Sequence, residues 1–345
     1  MEGQIIDLET VDFVQKKKEM SIPLSYLPIK LSTNGKLGVP EVVYCRNFNT
    51  EDILTLSMLT NTIIPERMIA VINSFIYGDV NVANWPDKSI IELLVLMYIN
   101  FFTPMLPQIA FPWNDEDIAW LEERKETKKI DALKKGIWVP RIDLDLRTLD
   151  IHQLDSHIQD TIVIKKKDGK GFNGTFLAYP KYGDALILQQ MVKDRFEEEE
   201  KKYISLELLI NSYSRYIESD KDTSELPPID PNLYVSWQEF LVKKNVFIAD
   251  ATLAYYLQKI GTEDVSSYPI EKKIKLIKDP SFDDINISKK LSKHFGTLDF
   301  GISPNVKVHN PITGEEVTRG FQFRVDDILQ ALQSFDPDGY DISYD

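Results

Sequence analysis

The sequence predicts an α+β fold: a helical N-terminal domain with an edge strand, a central β-hairpin region plus a long helix, and a small α/β C-terminal region. Three patterns predict it. Apolar residues recur at helical spacing over residues 68–76. Apolar and charged residues alternate over residues 142–147, as in a half-buried strand. The segment Asp168-Gly169-Lys170-Gly171 separates two strand-like runs and is typical of a hairpin turn.

The first predicted domain, residues 1–136, begins with an extended arm that is rich in Pro, Gly and β-branched residues beyond position 20. A strand is predicted over residues 37–48, after the Asn34-Gly35 turn signal. Three helices follow. The first begins at Asn49, whose side chain can cap it, the second has Pro65 at its first position, and the third begins near Pro86.

The third of these helices is apolar almost all round, so we expect it to be the central helix of the domain. The prolines at 104, 107 and 112 predict extended chain after it. A charged helix over residues 115–135 is expected next, with Gly136 as its stop. Because this helix is mostly polar, it is expected to project from the body or to bridge to a neighbour.

The second predicted domain, residues 137–235, is a β-hairpin and long-helix insertion. Its elements are the strand around residue 144, a hairpin formed by residues 161–167 and 172–179, and a helix over residues 184–219. Pro227, Pro228 and Pro231 among acidic residues predict that it ends in a linker over residues 220–235.

The third predicted region, residues 236–345, is a C-terminal α/β region. A helix is predicted over residues 236–260, stopped by Gly261. A basic, strand-like segment at 270–278 and a short helix at 286–295 follow. Strand-like alternation at 306–309 and 320–325 precedes a last helix at 326–334.

Composition and net charge limit the class of protein to which the chain can belong. The chain has 345 residues, 43% of them hydrophobic, and a net charge of −14, so it is globular and acidic. An acidic surface repels phosphate backbones and anionic lipid, so neither nucleic acid nor a membrane is expected as a partner. The short basic runs at 16–18 and 165–167 are interpreted as solvated surface. The longest apolar run, 90–102, is too short to span a bilayer, and the first residues lack signal-peptide features, so a cytosol-like compartment is expected.

The search for reactive residues predicts no catalytic, cofactor-binding or metal-binding site and no cofactor. Cys45 lies in an apolar run, which favours a buried thiol over a nucleophile. The histidines at 152, 157, 294 and 309 are scattered, and 152 and 157 are not at the spacing that shares a helix face. Asp143 and Asp145 could serve carboxylate chemistry but are interpreted as surface acids. The aspartates at 336, 338 and 341 lack the Gly and closing Glu of a calcium loop.

Two segments resemble a known family. The first is Ile22-Pro23-Leu24-Ser25-Tyr26-Leu27-Pro28, with the stretch from Val42 through Cys45-Arg46-Asn47-Phe48 to Asp52. The second runs from His294-Phe295-Gly296 through Gly301-Ile302, His309-Asn310-Pro311-Ile312-Thr313-Gly314-Glu315-Glu316 and Gly320-Phe321-Gln322-Phe323. Together they resemble the baseplate-hub and tail-assembly chaperone family of T-even-type contractile-tailed bacteriophages, over residues 1–113 and 285–325.

The resemblance implies a structural or assembly protein of a phage tail baseplate that acts through protein–protein contacts. Its implied partners are other phage tail or baseplate proteins, and self-association is left open. Its implied location is the host cytoplasm during assembly, or the virion. Where relatives carry paired cysteines, this chain has Asn310-Pro311 and Thr313-Gly314, which predicts a plain turn without metal. The alternatives are another virion component, of the head or neck, and an enzyme with an unrecognised carboxylate site.

Overall fold

The computed structural model describes residues 22–49, 51, 52, 55, 65–154, 158–165, 173–219, 221–279, 282, 284–321, 323 and 328. These residues form small antiparallel sheets among helices, so the predicted α+β class is confirmed. Among them, every helix is too short or too polar to cross a membrane. The α-helices are α1 (Pro65–Phe75), α2 (Asp87–Phe101), α3 (Asp115–Glu123), α4 (Thr127–Lys134), α5 (Tyr182–Glu200), α6 (Ile204–Glu218), α7 (Pro231–Tyr256), α8 (Ile270–Ile277) and α9 (Asp284–Gly296).

The strands form several small sheets. Hairpins β1–β2, β11–β12 and the pairs β3–β4 and β5–β10 are two-stranded, and β6, β7, β8 and β9 form one four-stranded sheet in that order. Their bounds are β1 (Tyr26–Lys30), β2 (Val42–Arg46), β3 (Met105–Ala110), β4 (Arg141–Asp145), β5 (Ile151–His152), β6 (Thr161–Lys165), β7 (Asn173–Leu177), β8 (Leu257–Ile260), β9 (Glu263–Asp264), β10 (Gly301–Ile302), β11 (Asn305–His309) and β12 (Glu316–Gly320).

Helix α2 is the central helix, as its sequence predicts. Ile90, Leu93, Leu94, Val95 and Met97 are buried in the largest apolar cluster, and they lie on nearly all sides of the helix. The cluster also takes side chains from β1–β2, α1, β3–β4, the start of α5 and β11–β12. The core around α2 therefore draws on all three of the sequence segments that were assigned to separate domains.

The predicted charged helix over residues 115–135 is wrong in two respects. It is two helices, α3 and α4, because Lys125 between them has a φ of +59° and the chain turns there. It also does not project: Ile118, Leu121 and Leu133 form a small core with Trp138 and Ile312. The apolar positions are few, but they fall on one side of each helix, which is enough to hold the pair against the body.

The two strands of the predicted hairpin are confirmed as β6 and β7, which belong to the sheet β6–β9. The turn at 168–171 lies outside the described residues. The helix that was predicted over residues 236–260 begins earlier, at Pro231, because Asp230 caps it and Pro231 fits its first turn. It ends at Tyr256, where the chain continues directly as β8 and pairs with β7. Residues 231–235 are thus helix rather than linker.

The segment at 270–278 was predicted as a strand and is a helix. Ile270, Ile274 and Ile277 recur at helical spacing, and Pro269 stands at the start of α8. The predicted helix at 184–219 is broken into α5 and α6 by a 3₁₀ turn at Lys201–Tyr203. The second C-terminal strand is β12, which ends at Gly320 instead of beginning there. Most of the helix predicted from Asn49, the arm up to residue 21 and the helix at 326–334 apart from residue 328 lie outside the described residues.

The buried carboxylate of Glu92 links three segments of this core that are far apart in the sequence. Glu92 of α2 is 1% exposed, and its oxygens accept hydrogen bonds from the Ser32 amide at 2.8 Å and the Ser32 hydroxyl at 2.6 Å. The Ser32 hydroxyl in turn accepts one from the Gly301 amide at 2.9 Å. Burial raises the pKa of Glu92. Gly301 has a φ of +78°, a conformation that strains any other residue.

We predict that Ser32→Ala lowers the free energy of unfolding by about 1–3 kcal/mol, because Glu92 and the Gly301 amide both lose a buried partner. Urea unfolding followed by circular dichroism measures this. Ser212→Ala removes a hydroxyl that only bonds back to Leu208 within α6, and it should change stability by less than about 0.5 kcal/mol. Equal stability of the two variants would contradict the role of Ser32.

Candidate functional site

The histidines do not converge on one site. The His152 ring contacts Asp299 through Nδ1, and His294 Nε2 lies 2.9 Å from the Ala178 carbonyl oxygen. His309 is exposed on β11, and His157 lies outside the described residues. Across the part of the chain that the structure describes, no three His, Cys, Asp or Glu side chains are placed to hold a metal ion.

The other candidate residues have separate structural partners. Asp143 accepts from the Gln108 amide at 3.0 Å. Asp145 accepts from Arg147 at 2.7 Å, and this hydrogen bond is the largest cause that lowers the pKa of Asp145. Burial raises the pKa of the Cys45 thiol to about 12, so it stays protonated at neutral pH. The aspartates at 336, 338 and 341 lie outside the described residues.

A second buried carboxylate, that of Asp117, contacts the C-terminal segment that carries the family resemblance. Asp117 is 1% exposed and forms a capping box with Asn114 at the start of α3. It also accepts from the Asn310 side-chain amide and lies 3.3 Å from Arg319 Nη2. Asn310 Oδ1 accepts from the Ile312 amide at 2.8 Å, which fixes the β11–β12 turn. The turn that the sequence predicts at 310–314 is thus held by a side-chain amide and a carboxylate distant in sequence.

An acid–tyrosine pair, Asp184 and Tyr255, joins α5 to α7, and the charge of Asp87 at the start of α2 acts on the neighbouring Tyr256. The Tyr255 hydroxyl donates to Asp184 Oδ1 at 3.0 Å. Burial raises the pKa of Asp87, at the start of α2, to about 6. Burial also raises the pKa of Tyr256, and the charges of Asp87 and Asp184 add to that effect. The sequence analysis missed this group because its members are far apart in the chain.

The helical unit, residues 182–256, consists of α5, α6 and α7 and has a small core of its own. Within it the rings of Tyr203 and Phe240 stack and Phe196 meets Phe240 edge to face, with Leu206 and Ile210 of α6 beside them. Eight of the fourteen large hydrophobic side chains that are exposed among the described residues belong to this unit, so apolar surface is concentrated there. They are Ile187, Ile204, Leu208, Leu233, Val235, Val242, Val246 and Ile248.

One face of α7 carries an exposed valine stripe, Val235, Val242 and Val246. These side chains are 55%, 63% and 52% exposed. At about 100° per residue, the three positions lie within about 40° of one another around the helix axis. The opposite face, with Phe240 and Ala251, is buried. Valine forms helix poorly, and these three valines remain more than half exposed among the residues that the structure describes.

No protein-family model, curated protein or solved structure matches this chain. The surfaces and side-chain groups described above therefore carry the functional argument. The valine stripe is visible in the sequence as valines seven and four positions apart, but only the structure shows that they face away from the core.

We predict that Asp87→Asn stabilises the protein at neutral pH but not in acid. The folded-state pKa of Asp87 is raised from 3.8 to about 6, so the folded protein holds the proton more tightly than the unfolded chain does. Stability is therefore lost as the pH rises from 3.8 to about 6, and the asparagine variant escapes this loss.

Thermal melting from pH 3.5 to 7.5 checks the Asp87 prediction. The melting temperature of the variant should match the wild type near pH 3.5 and exceed it increasingly up to about pH 6. Asp115→Asn, at an exposed position in the first turn of α3, should show no such growth. A constant difference for Asp87→Asn across the range would contradict the shifted pKa.

Proposed function

We propose that this chain is a structural or assembly protein of a contractile phage tail baseplate, which binds a helix of another tail protein along the valine stripe. The observation that carries the proposal is that α7 is apolar on both faces while one face is exposed. A helix that is apolar all round belongs in a buried setting. The residues that the structure describes leave the stripe uncovered, and we assign its cover to a partner.

The spacing of the stripe specifies the kind of partner. Val235, Glu239, Val242, Val246 and Ala249 follow one another at intervals of four and three residues and are all exposed. This is the seam of a coiled coil, in which side chains of one helix fit between those of another. The partner is therefore an α-helix with apolar side chains at the same spacing.

The charges near the seam further limit which partner helix can bind. Lys243, beside the seam, and Lys244, on the opposite face, are already paired with Glu199 and Glu200 of α5. Glu239, within the seam, forms no ion pair with any residue that the structure describes. A buried carboxylate needs a counter-charge, so the partner helix carries Lys or Arg opposite Glu239.

The resemblance to phage baseplate proteins supports the same proposal. Its first segment forms the β1–β2 hairpin, and its second contains β10, β11 and β12. Both pack against the cluster around α2. The resembling residues thus form one scaffold, and the helical unit, which has no counterpart in the resemblance, supplies the partner-binding surface.

The place of the protein in a particle is tested by mass spectrometry of fractionated phage. Cells are infected with the phage whose genome encodes the chain, and the chain is quantified in baseplates, complete tails, heads and lysate. Enrichment with baseplates or tail intermediates supports the proposal. Enrichment with heads or necks favours another virion component, and a gene outside any phage or prophage contradicts the proposal.

We predict that the double variant Val242→Asp, Val246→Asp folds normally but loses its partner. Both positions are exposed, so the melting temperature should change by only a few degrees, whereas two charges in a helix seam cost on the order of 2–4 kcal/mol of binding, about 30- to 1000-fold. Incorporation of the variant into tail particles measures the loss. Val163→Asp, at an exposed valine of β6, is the matched control, and equal incorporation of both variants would refute the assignment of the stripe.

A further inference from the structure

A cavity of about 580 Å³ lies where α1 and α5 meet the end of α7 and the start of α8. Its volume is within the usual range for a small-molecule site. Ile69, Ile187 and Met191 are among its apolar lining residues. Gln258 and Lys273 are among the polar ones. Polar and apolar side chains are mixed around the cavity, and polar groups placed beside an apolar surface orient a ligand.

Lys273 is the unusual residue of this cavity, because it is a lysine of which only 4% is exposed. Its ammonium donates to the Leu257 carbonyl oxygen at 2.9 Å. No carboxylate among the described residues lies within ion-pairing distance of it. Asp264 acts on it only as a more distant charge, and that carboxylate already accepts from the Ser266 hydroxyl at 2.6 Å and its amide at 2.9 Å.

The other charged groups of the cavity are compensated or exposed. Burial raises the pKa of Asp184, and the Tyr255 hydroxyl, which donates to it at 3.0 Å, and the charge of Lys181 act in the opposite direction. Glu66 is exposed in the first turn of α1, where solvent screens it. Among the described lining residues, the buried charge without a close counter-charge is therefore that of Lys273. A buried ammonium in that state is costly unless an anion joins it.

We infer that the cavity binds a ligand with one carboxylate and a short aliphatic body. The carboxylate lies beside Lys273 Nζ, with the Gln258 amide as a second donor. The body packs against Ile69, Ile187 and Met191. Two sources have this chemistry: a free short-chain acid, and the C-terminal carboxylate of a peptide that ends in an apolar residue.

The test is calorimetric titration of the full chain with hexanoate. Hexanol has the same body without the charge, and inorganic phosphate has charge without the body. We expect hexanoate to bind one to one at millimolar concentrations, as its size allows, and hexanol and phosphate to bind at least about ten-fold more weakly. Acetyl-Leu-Leu with a free C-terminus is titrated in the same way, with its C-terminal amide as the control. Comparison of its affinity with that of hexanoate identifies whether the carboxylate comes from a peptide or from a short-chain acid.

Lys273→Met removes the charge and keeps most of the volume, so hexanoate should bind at least about ten-fold more weakly. Lys275→Met, at an exposed position of α8, should leave affinity within about two-fold. Ile187→Trp fills the cavity from its partly exposed rim without touching Lys273, and it should weaken binding to the same degree. Absence of binding by both hexanoate and the free dipeptide up to about 10 mM, equal binding to Lys273→Met, or equal binding of hexanol would overturn the inference.

Discussion

The fold depends on one buried carboxylate. Glu92 lies in the middle of a mostly apolar helix, and among the described residues its oxygens accept hydrogen bonds from Ser32 alone, which is 60 positions earlier. The Ser32 hydroxyl is itself oriented by the Gly301 amide, and one helical turn before Glu92 the Lys88 ammonium donates to the Leu298 carbonyl oxygen at 2.7 Å. Apolar packing alone tolerates many arrangements of hairpins around α2. A buried polar group that must find particular donors selects one of them.

Sequence patterns predicted the elements that a short stretch of chain specifies, but not the contacts between residues that are far apart in the sequence. The turn residues after 167 and the alternation on either side of them predicted β6 and β7, because a hairpin is specified within one stretch of chain. The alternation at Ile274-Lys275-Leu276 favoured a strand. The segment is helix α8 because its isoleucines recur at helical spacing and Pro269 stands at its start. The bond between Asp117 and Asn310 spans 193 positions, and no local pattern encodes it. The exposure of the valine stripe was equally hidden, since a helix that is apolar all round looks the same whether it is covered or not.

Helices α2 and α7 show that an apolar sequence does not reveal whether a helix is covered. Both are apolar on most sides, and α7 is the longer, at 26 residues. Helix α2 is surrounded by the hairpins and helices of its own chain. Helix α7 has α5 and α6 on one side only along most of its length, and its last turns enter the core beside α8 and β8. One helix thus links the part of the molecule with a complete core to the part that offers apolar surface.

The distance in sequence between α2 and β10 has a consequence for biosynthesis. The Lys88–Leu298 bond joins residues 210 positions apart. A ribosome that adds 5–20 residues per second needs about 10–40 s to make that interval. Throughout this time the nascent chain carries α2 with β1–β2 and then β3–β4 but without β10, β11 and β12, so the part of α2 that the last strands cover is open to non-native contacts. The core around α2 can therefore close completely only after most of the chain has been made.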